Sequence, residues 1–338
     1  MKALVIHGKQ DLRSQEWETP LPRQGEVRVR IAWGGICGSD LHYYHDGANG
    51  AFVVREPLIP GHELSGTVDL DPSGELAPGT PVTFHPATFG ECRPGLEGQP
   101  HLWPNGGYLG SASTTPHTQG GMSEYLVMKR EMIRLLPEGL PLRRAALAEP
   151  LAVALHGINV AGGVEGKRVL VCGAGPIGLL VAAAALAKGA REVTVTDLHE
   201  GPLERARALG VHHTLRVGEQ TPEPESYDVA LECSGAPASI DAAIRAVRRA
   251  GVIAQIGMMG AGPQPLELAL LISKEIQLRG CFRFNDEVDD AIALLASDAR
   301  FDQVITHELE ADDAVEAFTI AKDAQASGKV LIRLWPRE

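Results

Sequence analysis

The sequence predicts an α/β protein of two domains, a doubly wound parallel sheet joined to a second, mostly β domain. Three observations predict it. The chain has 338 residues, more than one hydrophobic core usually organises. From about residue 166, short apolar strands alternate with helical stretches, the pattern of a parallel sheet covered on both faces. Before that, residues 1 to about 150 are strand-like and broken by Gly and Pro clusters, as in a β domain with many turns.

The elements follow in order. EVRVRIAW (Glu26–Trp33) alternates charged and apolar side chains, the period of a half-buried strand. HELSGTVDL (62–70) and TPVTFHP (80–86) repeat the theme. RVLVC (168–172) is a buried strand that leads into a helix ending near Lys188. EVTVT (192–196) precedes a helix around Leu203, Ala206 and Leu209. YDVALEC (227–233) precedes a helix with Ile240, Ile244 and Val247 on one face. GVIAQIG (251–257) and IQLRGCF (276–282) complete the parallel series. Beyond about residue 284 come an amphipathic helix (Val288, Ile292, Leu295), a strand, a helix and a last strand, KVLIRL. This tail can extend the sheet or return to the first domain.

Composition narrows the function. Lys and Arg number 31 against 43 Asp and Glu, a net charge of −12. Nucleic acid and anionic membrane are poor partners for such a surface, because phosphate binding needs a basic face. An anionic substrate would need a local cation. The five cysteines are odd in number and scattered, so no disulfide framework is implied, and a reducing, cytoplasmic setting is expected. The opening MKALVIHGKQD is charged too early for a signal peptide. Val169–Ala187 carries no charge, but Gly173, Gly175, Pro176 and Gly178 interrupt it, which fits a buried strand–turn–helix and not a membrane span.

Gly173-Ala174-Gly175-Pro176-Ile177-Gly178 fits G-x-G-x-x-G directly after a strand and at the start of a helix, the context that gives this motif meaning. The first glycine allows a tight turn, the second lets backbone approach a pyrophosphate, and the third lets helix pack on strand. The helix N-terminus offers free N–H groups to phosphate. Asp197 ends the next strand, where the Rossmann fingerprint places an acid for the ribose 2′-hydroxyl. A carboxylate there repels a 2′-phosphate, so NAD is expected over NADP. A helix-cap acid is the alternative reading of Asp197.

Metal-binding residue types cluster in three short motifs: GICGSDLH with Cys37, Gly61-His62-Glu63, and Glu149-Pro150. Thiolate, imidazole and carboxylate together suit zinc, and catalytic zinc sites keep one position open. Residue type and spacing alone leave each as readily a buried thiol or a surface pair.

GGICGSDLHYY, PLIPGHELSG, AEPLAVALH, GAGPIG, LECSG and GCFRF occur in that order along the chain. Together they resemble the zinc-containing medium-chain alcohol dehydrogenases, in particular the polyol and sugar-acid branch. The resemblance implies a GroES-like catalytic domain over residues 1–148, an NAD-binding Rossmann domain over 149–284 and a segment, 285–338, that returns to the catalytic domain. It implies zinc on Cys37 and His62, with Glu63 as third or exchangeable ligand. Glu149 becomes a fourth ligand or the group that holds a zinc-bound water. Asp40 matches the carboxylate that orients the liganding histidine. Ser39 and His42 match the family's proton relay. Gly173, Gly175, Pro176, Ile177, Gly178, Asp197, Cys233 and Gly257 become the cofactor contacts.

The implied reaction is oxidation of a secondary alcohol to a ketone, with L-idonate first among the substrates and sorbitol, xylitol or L-threonine as alternatives. A non-catalytic NAD-binding protein is the alternative from another class. Tyr43, His45, His117, Phe282, Arg283 and Phe284 are the substrate candidates. Arg283 reads equally as a cation for an aldonate carboxylate and as a structural arginine bonded to carbonyls. Relatives hold a second, structural zinc in a four-cysteine lobe. The matching positions here are Phe89, Cys92, Gly95 and Trp103, so one zinc per chain is expected and the lobe should be held by proline, Trp103 and Tyr108 packing. The apolar strand GVIAQIG suggests pairing across a two-fold axis, hence a homodimer or homotetramer.

Overall fold

The computed structural model describes residues 1–336. Along the chain, the strands are β1 (Lys2–Gly8), β2 (Asp11–Glu16), β3 (Glu26–Gly35), β4 (Glu63–Leu70), β5 (Pro81–Phe84), β6 (Tyr125–Lys129), β7 (Ile133–Leu135) and β8 (Arg168–Cys172). They continue as β9 (Glu192–Asp197), β10 (His213–Arg216), β11 (Tyr227–Glu232), β12 (Val247–Gln255), β13 (Gln277–Gly280), β14 (Ile305–Glu310) and β15 (Lys329–Arg333). The main helices are α1 (Gly38–Asp46), α2 (Ala148–Val160), α3 (Pro176–Ala187), α4 (Glu200–Ala208), α5 (Pro237–Ala246), α6 (Val288–Ser297) and α7 (Ala314–Lys322). None of the described helices is long and apolar enough to cross a membrane.

Two sheets organise the molecule. The first runs β7-β5-β4-β3-β15-β14, with β6 paired to the opening half of β3. Its pairings are antiparallel except β14 with β15. The last two strands of the chain thus complete a sheet begun near its start, with Leu331–Arg333 beside Trp33–Gly35. The second sheet is wholly parallel, in the order β10-β9-β8-β11-β12-β13. Its strand order reverses between β8 and β11, so a crevice opens at their carboxyl ends, where such sheets bind ligands.

The parallel sheet has one strand more than the sequence pattern suggests. β10, HTLR, lies at the sheet edge and is only partly buried. An edge strand needs no second apolar face, so its polar sequence hides it from a periodicity reading. The expectation for GVIAQIG also needs correction. β12 is flanked by β11 on one side and β13 on the other, so its backbone groups are spent and it cannot pair with a second chain. The edge on that side of the sheet is β13, beside exposed Leu270, Ile272 and Leu278.

α2 joins the two halves. It packs on α3 and α6 and is buried along most of its length, including Glu149 and His156. Asp and Glu rarely go inside unless partnered, which directs attention to the α2 N-terminus.

Candidate active site

Cys37 immediately precedes α1. The Asp40 carboxylate accepts the Cys37 N–H (2.9 Å) and the Gly61 N–H (3.1 Å). One buried side chain thereby fastens both loops that carry metal-type residues. The sequence reading gave Asp40 a different task, orienting His62. That contact is not made: His62 Nδ1 is buried with no hydrogen-bond partner. Gly61 takes φ +96°, a conformation glycine tolerates. Gly35 is required because a Cβ there would lie 2.1 Å from Glu63 Oε2.

The structure brings Cys37, His62 and Glu63 together, with one ligand atom of each within 4.8 Å of the others. Glu63 is also gripped by Lys329 of β15, whose Nζ lies 2.7 Å from each carboxylate oxygen and 3.1 Å from the Ile36 carbonyl. Burial alone would lower the Lys329 pKa, but Glu63, Cys37 and Glu149 outweigh it and raise it. Glu149 lies outside the tight trio. Its carboxylate accepts a short hydrogen bond from the Tyr108 hydroxyl, and its pKa is raised by burial and by repulsion from Glu63, against His62, Tyr108 and Lys329.

The cluster is short of positive charge. Asp40 is raised chiefly by burial. His62 is raised well above its ordinary value although burial opposes it, because Cys37, Asp40 and Glu149 favour its cation. Each of these shifts would be relieved by a cation at the centre of the group. A borderline-soft divalent ion fits the donor set of sulfur, nitrogen and oxygen that Cys37, His62 and Glu63 bring together.

Tyr108 also has a place that the sequence does not reveal. It was expected to pack the lobe. Its ring meets the His62 ring edge-on at 5.3 Å between centroids, and the Arg283 guanidinium lies 4.0 Å from its centroid. The lobe is closed by other contacts: Trp103 Nε1 donates to the Leu96 carbonyl (2.7 Å), and Phe89 lies edge-on to Trp103. Cys92 is exposed.

Arg283 takes φ +51°, a strained backbone for a residue with a Cβ. Its guanidinium rests on Tyr108 and Phe282. Among the described residues it makes no ion pair or hydrogen bond, so the structural-arginine alternative does not hold. Phe282 is half-exposed and lines a cavity of about 450 Å³ with His101, His156, Met258 and Cys281, a cavity that Cys37, His62, Glu63 and Glu149 do not line.

Four substrate candidates are corrected. His117 has both ring nitrogens committed to backbone: Nδ1 to the Thr114 carbonyl (2.9 Å) and Nε2 to the Arg55 N–H (3.0 Å). Tyr43 is a core residue whose hydroxyl accepts the Ala112 N–H (3.1 Å). His45 lies tilted against the Tyr44 ring, 4.7 Å between centroids, and faces Phe318 and Lys322 of α7. Phe284 is likewise buried, against His85. Ser39 and His42 lie three residues apart on α1, Ser39 half-buried and His42 exposed, and His42 Nδ1 is 3.1 Å from Asp46.

At the crevice of the parallel sheet, the glycine turn has the geometry its spacing implies. Gly173 takes φ +95°. A Cβ on Gly178 would lie 1.9 Å from the Gly173 carbonyl oxygen, whereas one on Gly175 would meet nothing within 4 Å. The third glycine therefore serves packing, and the second leaves backbone open to a ligand. Pro176 begins α3, with Ile177 next. Asp197 Oδ2 accepts the Ala174 N–H (2.8 Å) and Oδ1 the His199 N–H (2.9 Å), so this acid ties the turn to the end of β9. Gly257 must be small, since a Cβ would lie 2.3 Å from the Gly235 nitrogen. Cys233 is beside it, its thiol raised well above the ordinary value by burial. Glu232, missed by the sequence reading, is fully buried and organises this wall. It accepts from Ser234 N (3.0 Å), Gly235 N (2.9 Å) and Ser239 Oγ (3.0 Å).

Comparison with known proteins agrees with this geometry. Residues 23–138 match the alcohol dehydrogenase GroES-like domain, and residues 176–297 match the zinc-binding dehydrogenase domain. The chain is 33% identical to sorbitol dehydrogenase of Macaca fascicularis, covering 99% of this chain and 96% of that protein. The chain belongs to the zinc-binding medium-chain polyol dehydrogenase family. L-idonate 5-dehydrogenase (NAD(P)(+)) of Escherichia coli K12 is also 33% identical, with 97% of each chain covered. The crystal structure of the Escherichia coli L-idonate enzyme superposes with a TM-score of 0.93 over 98% of this chain and 97% of that one. As a member of this family, the protein is an oxidoreductase that uses a catalytic zinc ion and NAD.

Proposed function

We propose that the enzyme oxidises a secondary alcohol of a sugar acid, with L-idonate to 5-ketogluconate as the best assignment. The observation that carries this reading is Arg283: an unpaired guanidinium, held on Tyr108 beside the metal cluster, in a chain whose net charge is −12. An aldonate carboxylate is the partner such a fork accepts in two parallel bonds. A neutral polyol leaves it unanswered.

The proposed roles follow from placement. Cys37 and His62 hold zinc, Glu63 is a third or exchangeable ligand, and Glu149 either ligates or holds a water. Gly173, Gly175, Pro176, Ile177, Gly178, Asp197, Cys233 and Gly257 form the NAD site, and Asp197 favours NAD over NADP. When bound, zinc supplies Lewis acidity and NAD accepts the hydride. Ser39 receives the proton of the substrate hydroxyl, and His42, on the solvent side of α1, returns it to water. Asp40 keeps both ligand loops in place throughout.

The five free thiols support a reducing, cytoplasmic setting. The β13 edge supports a homo-oligomer built by strand pairing. Light scattering tests it: Leu278→Asp should yield monomers, and an unchanged mass would reject this edge.

An NADH-absorbance panel of aldonates and polyols, run with zinc assayed on the same sample, tests the substrate. L-idonate should exceed sorbitol, xylitol and L-threonine in kcat/KM. Arg283→Leu should remove that preference. Faster turnover of sorbitol or xylitol would replace the sugar-acid reading with the polyol one.

A further inference from the structure

Tyr108 stands where three parts of the site converge. It belongs to a short two-stranded pair, Ala87–Thr88 with Gly107–Tyr108, at the rim of the lobe. Its hydroxyl donates to Glu149 Oε1, its ring edge meets His62, and its face carries Arg283. It is 7% exposed, so these contacts are made away from bulk water, where both a charge-assisted hydrogen bond and a cation over a ring gain strength. The backbone strain at Arg283 is relieved by no hydrogen bond of its own side chain among the described residues. The stack on Tyr108 and Phe282 is what holds that guanidinium.

We propose that Tyr108 is a positioning residue with two separate tasks: its ring presents Arg283 to the anionic end of the substrate, and its hydroxyl aims Glu149 at the metal cluster. The first task sets substrate choice and the second sets turnover. One residue thereby fixes the distance between the anion handle and the reacting centre, which selects a substrate carrying its carboxylate at a set number of carbons from the alcohol oxidised. The inference rests on the sugar-acid reading for its first task only.

Two variants separate the tasks. Tyr108→Phe keeps the ring and removes the hydroxyl. Tyr108→Leu removes both. Steady-state kinetics with L-idonate and sorbitol, and titration of L-idonate into the zinc-free, NADH-bound protein, give the readouts. Tyr108→Phe should lower kcat roughly 10- to 100-fold, the scale of a hydrogen bond to a charged group, on either alcohol. The ratio of the two KM values and the zinc-free Kd for L-idonate should stay at wild type. Tyr108→Leu should in addition raise the L-idonate KM and that zinc-free Kd by about 3- to 30-fold, the scale of a desolvated cation–π contact, and leave the sorbitol KM in place. NADH binding checks that the fold is intact. If the leucine variant does not fold, Arg283→Lys keeps the charge but loses the planar stack and should raise the same two constants.

Wild-type kcat in Tyr108→Phe overturns the hydroxyl's task. Equal shifts for L-idonate and sorbitol in Tyr108→Leu, or an unshifted zinc-free Kd, overturn the ring's task. A wild-type enzyme that favours sorbitol defeats the sugar-acid reading itself and the ring's task with it. The phenylalanine arm still decides the hydroxyl's task on sorbitol.

Discussion

Lys329→Met is the most informative perturbation of this site. Lys329 and Glu63 are 3% and 1% exposed at their side chains, and the ammonium lies 2.7 Å from both carboxylate oxygens. Methionine fills the same volume without charge. It leaves Glu63 buried as an anion and also strips the Ile36 carbonyl of its donor. Removing one partner of a buried ion pair costs about 3–5 kcal/mol, a large share of a typical folding free energy. The metal modifies that figure. A zinc ion beside Glu63 replaces the lost counter-charge, so the deficit should be large in metal-free protein and much smaller in zinc-loaded protein. By linkage, zinc should bind the variant more tightly by the corresponding factor.

Urea unfolding of metal-free and zinc-loaded samples measures both deficits, and Lys329→Met/Glu63→Gln closes the cycle. The double variant should recover most of the loss in metal-free protein. A metal-free deficit under about 1 kcal/mol, well below the range for breaking a buried pair, would refute the reasoning. So would equal deficits with and without zinc.

Four further outcomes are expected. His62→Ala and Cys37→Ala should lose zinc and alcohol-dependent NADH formation together while still binding NADH; elemental assay and NADH fluorescence check both halves. Gly178→Ala places a methyl 1.9 Å from the Gly173 carbonyl oxygen and should raise the NADH Kd at least tenfold in a fluorescence titration. Asp197→Ala, which also frees the Ala174 and His199 N–H groups, should chiefly raise the NAD KM in steady-state assays. Glu287→Gln should flatten the acid limb of stability. Although burial opposes it, donation from His156, the Asn285 N–H and Asn159 holds the Glu287 carboxyl at about 2. A depressed acid contributes stability that is present above the unfolded value, about 4.3, and is lost as pH falls through the folded one. The variant should therefore be less stable by about 2 kcal/mol at pH 7 and less pH-dependent between about 4.3 and 2 in urea melts.

Much of the dinucleotide crevice was legible because each glycine answers a local steric demand that spacing along one chain can reveal. The parallel strands were legible for the same reason, as continuous apolar runs of RVLVC type. β10 was not, because an edge needs only a polar, short strand. The metal trio became legible through motif resemblance, since a cysteine and a histidine 25 positions apart carry no spacing signal. Lys329 lies 266 residues from its carboxylate, and Tyr108 lies 41 from Glu149. Only tertiary register makes those pairs. His117 and Tyr43 failed as substrate contacts because a sequence does not show whether backbone groups already occupy a side chain's polar atoms.

β15 follows every other strand and helix of the first sheet in order of synthesis, yet it delivers the Lys329 ammonium that pairs with Glu63. On the ribosome, the nascent pocket therefore gathers its anionic ligands long before their counter-charge emerges. Either a metal ion arrives early and holds the half-built sheet together, or the pocket stays open until translation ends. On the first course, folding yield should rise with the zinc present during translation, which expression in metal-depleted medium measures.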